Sequence, residues 1–422
     1  MSPIKYRIGI VSTRLAGTDG VSLEVVKWVR VLEKGLGHEA FFFAGECEWP
    51  EDHSLVVPEA HFEHPDVEKL TIDLFDDHIR SPETSATVEK IKNHLKQNLY
   101  KFVHQFGLDL IIIENAMAIP MNVPLGLALA EFIAETNLPA IGHHHDFTWE
   151  RTRYSVGAAD DYLRAAFPAT LHSIIHAVIN SFGQKQLALR TGASSIIVPN
   201  VMDFEAAPPV ADDYVSDLRD RLGIGPDEYF LLQPTRVVPR KRIERAIELA
   251  KRLDMPCKLV ISHNSGDEGS EYLKFLKEYI DLMGVKTIFA SNTFNGVRGK
   301  THDGEKIYSL ADAHYPADLI TYPSSIEGFG NAFLEAIYYC KPIVMSAYDI
   351  YKVDIRSKGF DVIEFDDYIS EETVNRTRNL LTNPDRVEEI VAHNYEVASH
   401  HYSFRNLEIL LDALVSVCLG TC

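Results

Sequence analysis

The 422-residue chain lacks any regular set of cysteines. Its five (Cys47, Cys257, Cys340, Cys418 and Cys422) are scattered, odd in number and include no C-x-x-C pair. That excludes a disulfide framework and a zinc cage and fits a reducing cytosol. Apolar runs stay far short of the roughly 20 residues a spanning helix needs, so no stable membrane insertion is expected. No hydrophobic signal region precedes a cleavage site, because Lys5 and Arg7 lead straight into the strand-like 8–11, and a cytoplasmic location is expected. Basic residues are outnumbered, 41 against 61 acidic ones, for a net charge of −20. A charge of that sign repels a phosphate backbone at long range and argues against nucleic acid as the main partner. It leaves room for a local cationic pocket holding a small anion. The first glycine-containing loop, 12–22, lacks G-x-G-x-x-G spacing, which disfavours a nicotinamide cofactor, and lacks G-K-[ST], so it is not a nucleotide-hydrolase P-loop. No aspartate-rich metal signature is present, and no metal is expected.

What is present is an ordinary globular mix, 46% apolar and 24% charged, in a chain long enough for two or three domains. Strand, turn and amphipathic helix alternate. Strands are predicted at 6–12, 40–44, 110–114, 140–144, 177–180 and 195–198, with a helix at 21–34. The rhythm restarts with strands at 230–234, 258–262, 287–290, 318–322 and 342–345 and helices at 243–253, 271–282 and 331–339. Such alternation predicts parallel, doubly wound sheets. The Pro208-Pro209 region marks a linker, giving domains 1–205 and 206–395. Residues 396–422 form a helical tail able to pack on the first domain. Segment 51–96 is acidic and weakly periodic and reads as an excursion.

Four segments carry candidate chemistry. In 323–336, a strand ends in a turn with Gly328 and Gly330, and a helix begins near Asn331. Glycines let backbone amides approach a ligand, and a helix N-terminus offers unpaired N–H groups to a diphosphate. Glu327 and Glu335, eight positions apart, can accept from sugar and ribose hydroxyls. Local physics leaves an ordinary turn with solvated glutamates equally open. In 233–242, Arg236 and Lys241 can point at one anion while Arg240 and Arg242 face solvent, stabilising a departing diphosphate. In 12–22, Gly17 and Gly20 can present amides, although a plain tight turn is the simpler reading. In His143-His144-His145-Asp146, alternation puts His143 and His145 on one face and His144 on the other. Strand geometry separates these histidines and no matching third ligand is visible at helical spacing. One of them donating to a sugar hydroxyl and a core histidine satisfied by its neighbours both remain open.

Read in order, these segments resemble glycosyltransferase family 4. The likeness also takes in Gly37-His38-Glu39, Val198-Pro199-Asn200 with Asp203, and the E-x7-E segment from Glu327 to Glu335. The resemblance implies an α/β GT-B fold, two Rossmann-like domains facing across a cleft, and retaining transfer of a hexosyl group from a nucleoside diphosphate sugar. By position it implies that Arg236 and Lys241 neutralise the leaving diphosphate, aided by amides of Phe329, Gly330, Asn331 and Gly20. Glu335 would hold the ribose and Glu327 the transferred hexose, with His145 beside the reacting sugar. The first loop departs from the family's Gly-Gly pair, having Ala16-Gly17. The segments 143–150, 322–336 and 359–361 look similar to a subgroup related to mannosylglucosylglycerate synthases. That favours GDP-mannose as donor and a small, anionic acceptor held by Arg14, Asp146, Arg151 and Arg153. UDP- or ADP-glucose is the alternative donor, and no further cofactor is expected. A phosphorylase or epimerase of the same architecture, or a non-catalytic sugar-nucleotide sensor, are the competing functions.

Overall fold

The computed structural model describes residues 4–17, 19–263 and 270–420. Thr18 of the first glycine-containing loop and Cys422 lie outside them. The chain forms two compact units, Met1–Val201 with Phe404–Cys422, and Met202–Ser403. The divisions thus fall at 201/202 and 403/404, where the sequence places them at 205/206 and 395/396.

The first unit is built on seven parallel strands, β1 (Arg7–Val11), β2 (Glu39–Ala44), β3 (Ser54–Val56), β4 (Leu110–Glu114), β5 (Ala140–His144), β6 (Ile174–Val178) and β7 (Ser195–Ile197). Their order in the sheet is β3-β2-β1-β4-β5-β6-β7. Central strands such as β4, Leu-Ile-Ile-Ile-Glu, are buried along their whole length, as expected where helices cover both faces. The strand order reverses between β1 and β4, so residues following these two strands flank the switch point where open α/β sheets bind ligands. A hydrogen bond from Ser12 Oγ to the Glu114 carbonyl (3.1 Å) joins the two strand ends there.

Segment 51–96 corrects the sequence reading. It supplies the edge strand β3 and two helices, Pro65–Phe75 and Pro82–Phe106. The second is capped by Ser81 and buries Val88, Ile91, Leu95, Leu99, Phe102 and Phe106 on one face, the spacing of an amphipathic helix. The tail is two helices, Pro384–His401 and Phe404–Leu419. The latter sends Leu407, Leu411, Leu414 and Val415 into the first unit's core beside Trp28 and Ile112.

The second unit has strands β8 (Tyr229–Gln233), β9 (Cys257–Ile261) and β10 (Thr287–Phe289), then the short β11 (Phe294–Asn295), β12 (Gly299–Lys300) and β13 (Lys306–Ser309). It ends with β14 (Leu319–Tyr322), β15 (Ile343–Ser346) and β16 (Ile363–Phe365). The main sheet runs β10-β9-β8-β14-β15-β16, and β11 to β13 form a separate small sheet that the sequence did not announce. Arg298 fastens that small sheet by pairing with both Asp212 and Asp312. Here the switch point lies between β8 and β14, where the segments beginning at Thr235 and Pro323 emerge.

Candidate active site

In the second unit the two emerging segments are stitched together. Ser325 donates its backbone N–H and its hydroxyl to the Arg240 carbonyl (2.9 and 3.1 Å). Arg240 Nη1 returns a bond to the Ile326 carbonyl (3.2 Å). Within this frame Lys241, only 8% exposed, pairs with Glu327, and Arg240 approaches the same carboxylate at 3.5 Å. Burial pushes the Glu327 carboxyl up, but the Lys241 ammonium more than offsets this and holds it below the usual carboxylate range. Burial pulls the Lys241 ammonium down, only partly countered by Glu327. Its ammonium also lies 5.6 Å from the centre of the Tyr322 ring.

The expectation that Arg240 and Arg242 face solvent is corrected. Arg240 belongs to the Glu327 cluster. Arg242 takes a left-handed φ of 49° at the start of helix Ile243–Leu253 and reaches Asp367, donating to its carbonyl at 2.6 Å. Arg236 is the exposed member of the group. Helix Asn331–Tyr338 begins where the turn delivers it, with Gly330 as cap at φ 120°. Phe329 and Gly330 are buried, while Asn331 and Glu335 are half-buried. A group that sequence reasoning passed over, His263, follows β9 by two residues. Burial first, then the Lys241 and Arg236 charges, hold it down to about 4.

In the first unit, parallel register sets Glu114 of β4 opposite His143 of β5. Glu114 Oε2 lies 2.9 Å from His143 Nδ1 and 3.4 Å from His145 Nε2. Glu114 is 1% exposed. Burial alone would raise its carboxyl, yet the charge and hydrogen bonds of the two imidazoles bring it to about 2. Burial lowers His145, and its bond to Glu114 overcomes this and raises it. His143 also stacks on Trp28 with centroids 4.0 Å apart. His144, on the other face, pairs with His176 at 2.9 Å. So the two faces part as alternation predicts, but the third group is Glu114, on the neighbouring strand rather than at helical spacing. The ligand atoms of Glu114, His143 and His145 lie within 4.8 Å of one another. This is the set among the described residues able to hold a metal ion, and its members are hydrogen-bonded to each other.

Next to this triad, Asn115 adopts φ 57°, a conformation Asn tolerates better than most residues. From there its side chain accepts from the His145 N–H and donates to Asp146 Oδ1, both at 3.0 Å. Asp146 pairs in turn with Arg151. Burial, then the Asp146 charge, push the Glu150 carboxyl up to about 7. Arg14 is committed to Asp19 at 2.9 Å, and Arg153 is exposed. Asp19 also accepts from the amides of Val21 and Ser22 at the helix start beside Gly20. Gly17 donates its amide to Glu48, so it is not offered to a ligand as the sequence reading allowed.

Two doubly wound parallel sheets, each with charged and glycine-bearing turns at its switch point, are the architecture of GT-B glycosyltransferases. The family description "Glycosyl transferases group 1" matches residues 215–397. A mannosylglucosylglycerate synthase of Thermotoga maritima is 32% identical over 96% of this chain and 99% of its own length. One of Petrotoga mobilis is 32% identical over 84% of this chain and 86% of its own. Among solved structures, a glycosyltransferase of Rickettsia africae superposes with a TM-score of 0.68 at 11% identity, covering 99% of this chain and 100% of that one. Sucrose-phosphate synthase of Thermosynechococcus elongatus does so at 0.65 and 14%, with the same coverage. The chain belongs to the group 1 glycosyltransferases, and it is a GT-B enzyme of that family. Among the described residues no helix is long and apolar enough to cross a membrane.

Proposed function

We propose that this enzyme transfers a mannosyl group from GDP-mannose to a small glycerate-type glycoside, with retention at the anomeric carbon. The observation that carries the reading is the 32% identity to a mannosylglucosylglycerate synthase along 96% of the chain. The second unit binds the donor. Lys241 and Arg236 neutralise the leaving diphosphate, and amides at the start of helix Asn331–Tyr338 add oriented dipoles. Glu327, held ionised by Lys241, accepts from hexose hydroxyls, and Glu335 accepts from the ribose. The first unit binds the acceptor. His145, fixed by Glu114 and Asn115, is its group for the reacting sugar, with Gly20 contributing an amide. Arg14, Arg151 and Arg153 are its cations for an acceptor carboxylate, and Asp146 orients Arg151. The departing phosphate oxygen takes the proton of the incoming hydroxyl, so no covalent nucleophile and no metal are required.

A thermal-shift panel tests this, since a ligand of the native state raises apparent stability. GDP, UDP, ADP and their mannose or glucose conjugates are compared, followed by product analysis with glucosylglycerate. A rise with GDP-mannose and a mannosylated product is the expected result. A rise with UDP- or ADP-sugars alone overturns the donor, and binding without any product overturns the transferase reading of the site.

A further inference from the structure

The turn that opens helix Asn331–Tyr338 rests on a tyrosine that none of the roles above uses. Tyr348, two residues beyond β15, is 3% exposed and donates its phenolic O–H to the Phe329 carbonyl at 2.8 Å. Gly330 lies directly over that hydroxyl, where an added Cβ would stand 2.1 Å from Tyr348 Oη. Its φ of 120° with ψ 60° is a conformation side chains other than glycine's rarely adopt. The Phe329 ring meets Tyr402 edge-on at 5.4 Å, and Tyr322 meets Tyr348 the same way at 5.9 Å. The turn is therefore gripped by aromatic rings as well as by the hydroxyl.

The Phe329 carbonyl and the Gly330 N–H belong to one planar peptide, and in a trans peptide they point in opposite directions. Tying the carbonyl to a buried hydroxyl turns the Gly330 N–H to the other side of the turn, away from Tyr348. We propose that Tyr348 is a positioning residue of the donor site. It fixes the Phe329–Gly330 peptide so that the Gly330 N–H is presented to a phosphate oxygen of the nucleoside diphosphate. With the peptide reversed, a carbonyl oxygen would be presented instead, and two acceptors would face each other. Preorganising the donor avoids having to reorient that dipole when the anion arrives or departs. The hydroxyl remains a donor throughout, because burial and then the Glu327 charge push its ionisation well above the usual tyrosine range. This inference rests on the donor reading of the second unit.

Tyr348→Phe removes one oxygen and keeps the ring. Binding of GDP and of guanosine is compared in wild type and variant by calorimetric competition, with UDP/uridine and ADP/adenosine run in parallel. The expected result is GDP affinity weakened roughly 10- to 100-fold, the factor attached to a hydrogen bond with a charged partner. Guanosine affinity stays unchanged, and retained guanosine binding also shows that the variant is folded. Equal GDP affinity in the two proteins overturns the role of Tyr348 and leaves the donor site standing. Parallel loss of guanosine and GDP reveals a merely structural tyrosine and also overturns it. A wild type that binds none of the three diphosphates removes the donor reading itself.

Discussion

Glu327→Ala strands a cation. Lys241 and Glu327 are each about one-tenth exposed at the side chain, so neither charge can fall back on water. Without the carboxylate, the Lys241 ammonium remains buried, with Arg236 and Arg240 as its charged neighbours. Removing one partner of a buried pair typically costs about 3–5 kcal/mol. For a unit of roughly 200 residues, each kcal/mol moves Tm by about 2–4 °C, which places the expected loss at roughly 6–20 °C. Lys241→Ala should cost a similar amount, since it leaves the buried Glu327 carboxylate with the more distant Arg240 as its neighbouring cation. The double substitution Lys241→Met with Glu327→Leu removes both charges and keeps volume, and should recover most of the loss. Differential scanning calorimetry compares the four proteins, and the single variants Lys241→Met and Glu327→Leu close the cycle. Inorganic pyrophosphate is then added: it supplies the missing negative charge and should restore more of the Tm in Glu327→Ala than it adds to wild type. Single variants within about 0.5 kcal/mol of wild type, or a double variant no better than the sum of the two, would refute the argument that this pair is both buried and mutually dependent.

Two further outcomes concern the first unit, which holds all three tryptophans, Trp28, Trp49 and Trp149, so that fluorescence reports its unfolding. The Glu114 carboxyl falls from an ordinary 4.5 to about 2 in the native state. Its stabilisation is therefore complete above pH 4.5 and lost as pH falls through 2. Glu114→Gln should flatten that part of the acid unfolding curve and lower the His145 titration followed by NMR; an unaltered acid limb would contradict the triad. Leu411→Ala, at a fully buried position, should destabilise the first unit by about 2–5 kcal/mol in urea. A second-unit transition moving in its place would contradict the packing of helix Phe404–Leu419.

Legibility in the sequence followed sequence distance. The turn from Pro323 to Gly330 and helix Asn331–Tyr338 could be read because strand, glycines, helix start and both glutamates lie within seventeen residues. The pairing of Lys241 with Glu327 spans 86 positions and becomes visible only when β8 and β14 are neighbours. Glu114 was hidden for the same reason: it closes an all-apolar strand and acquires meaning from His143 in register beside it. Helix Pro82–Phe106 escaped because its mean hydropathy is low, although its buried residues keep helical spacing. Arg242 was misplaced because a left-handed backbone at a non-glycine residue redirects its side chain. Tyr348 carries no motif at all, and its meaning depends on a carbonyl nineteen residues away.

The excursion of the chain through Met202–Ser403 before helix Phe404–Leu419 closes the first core has a consequence for biosynthesis. Residues 4–201 emerge from the ribosome with their sheet complete but with the flank formed by Val31–Gly35, β5 and β6 still without its helix. At translation rates of about 5–20 residues per second, that flank waits roughly 10–40 s for its cover. During this interval the nascent chain presents an apolar surface beside its sheet. The second unit, whose residues are contiguous, meets no such delay and can reach its native state first.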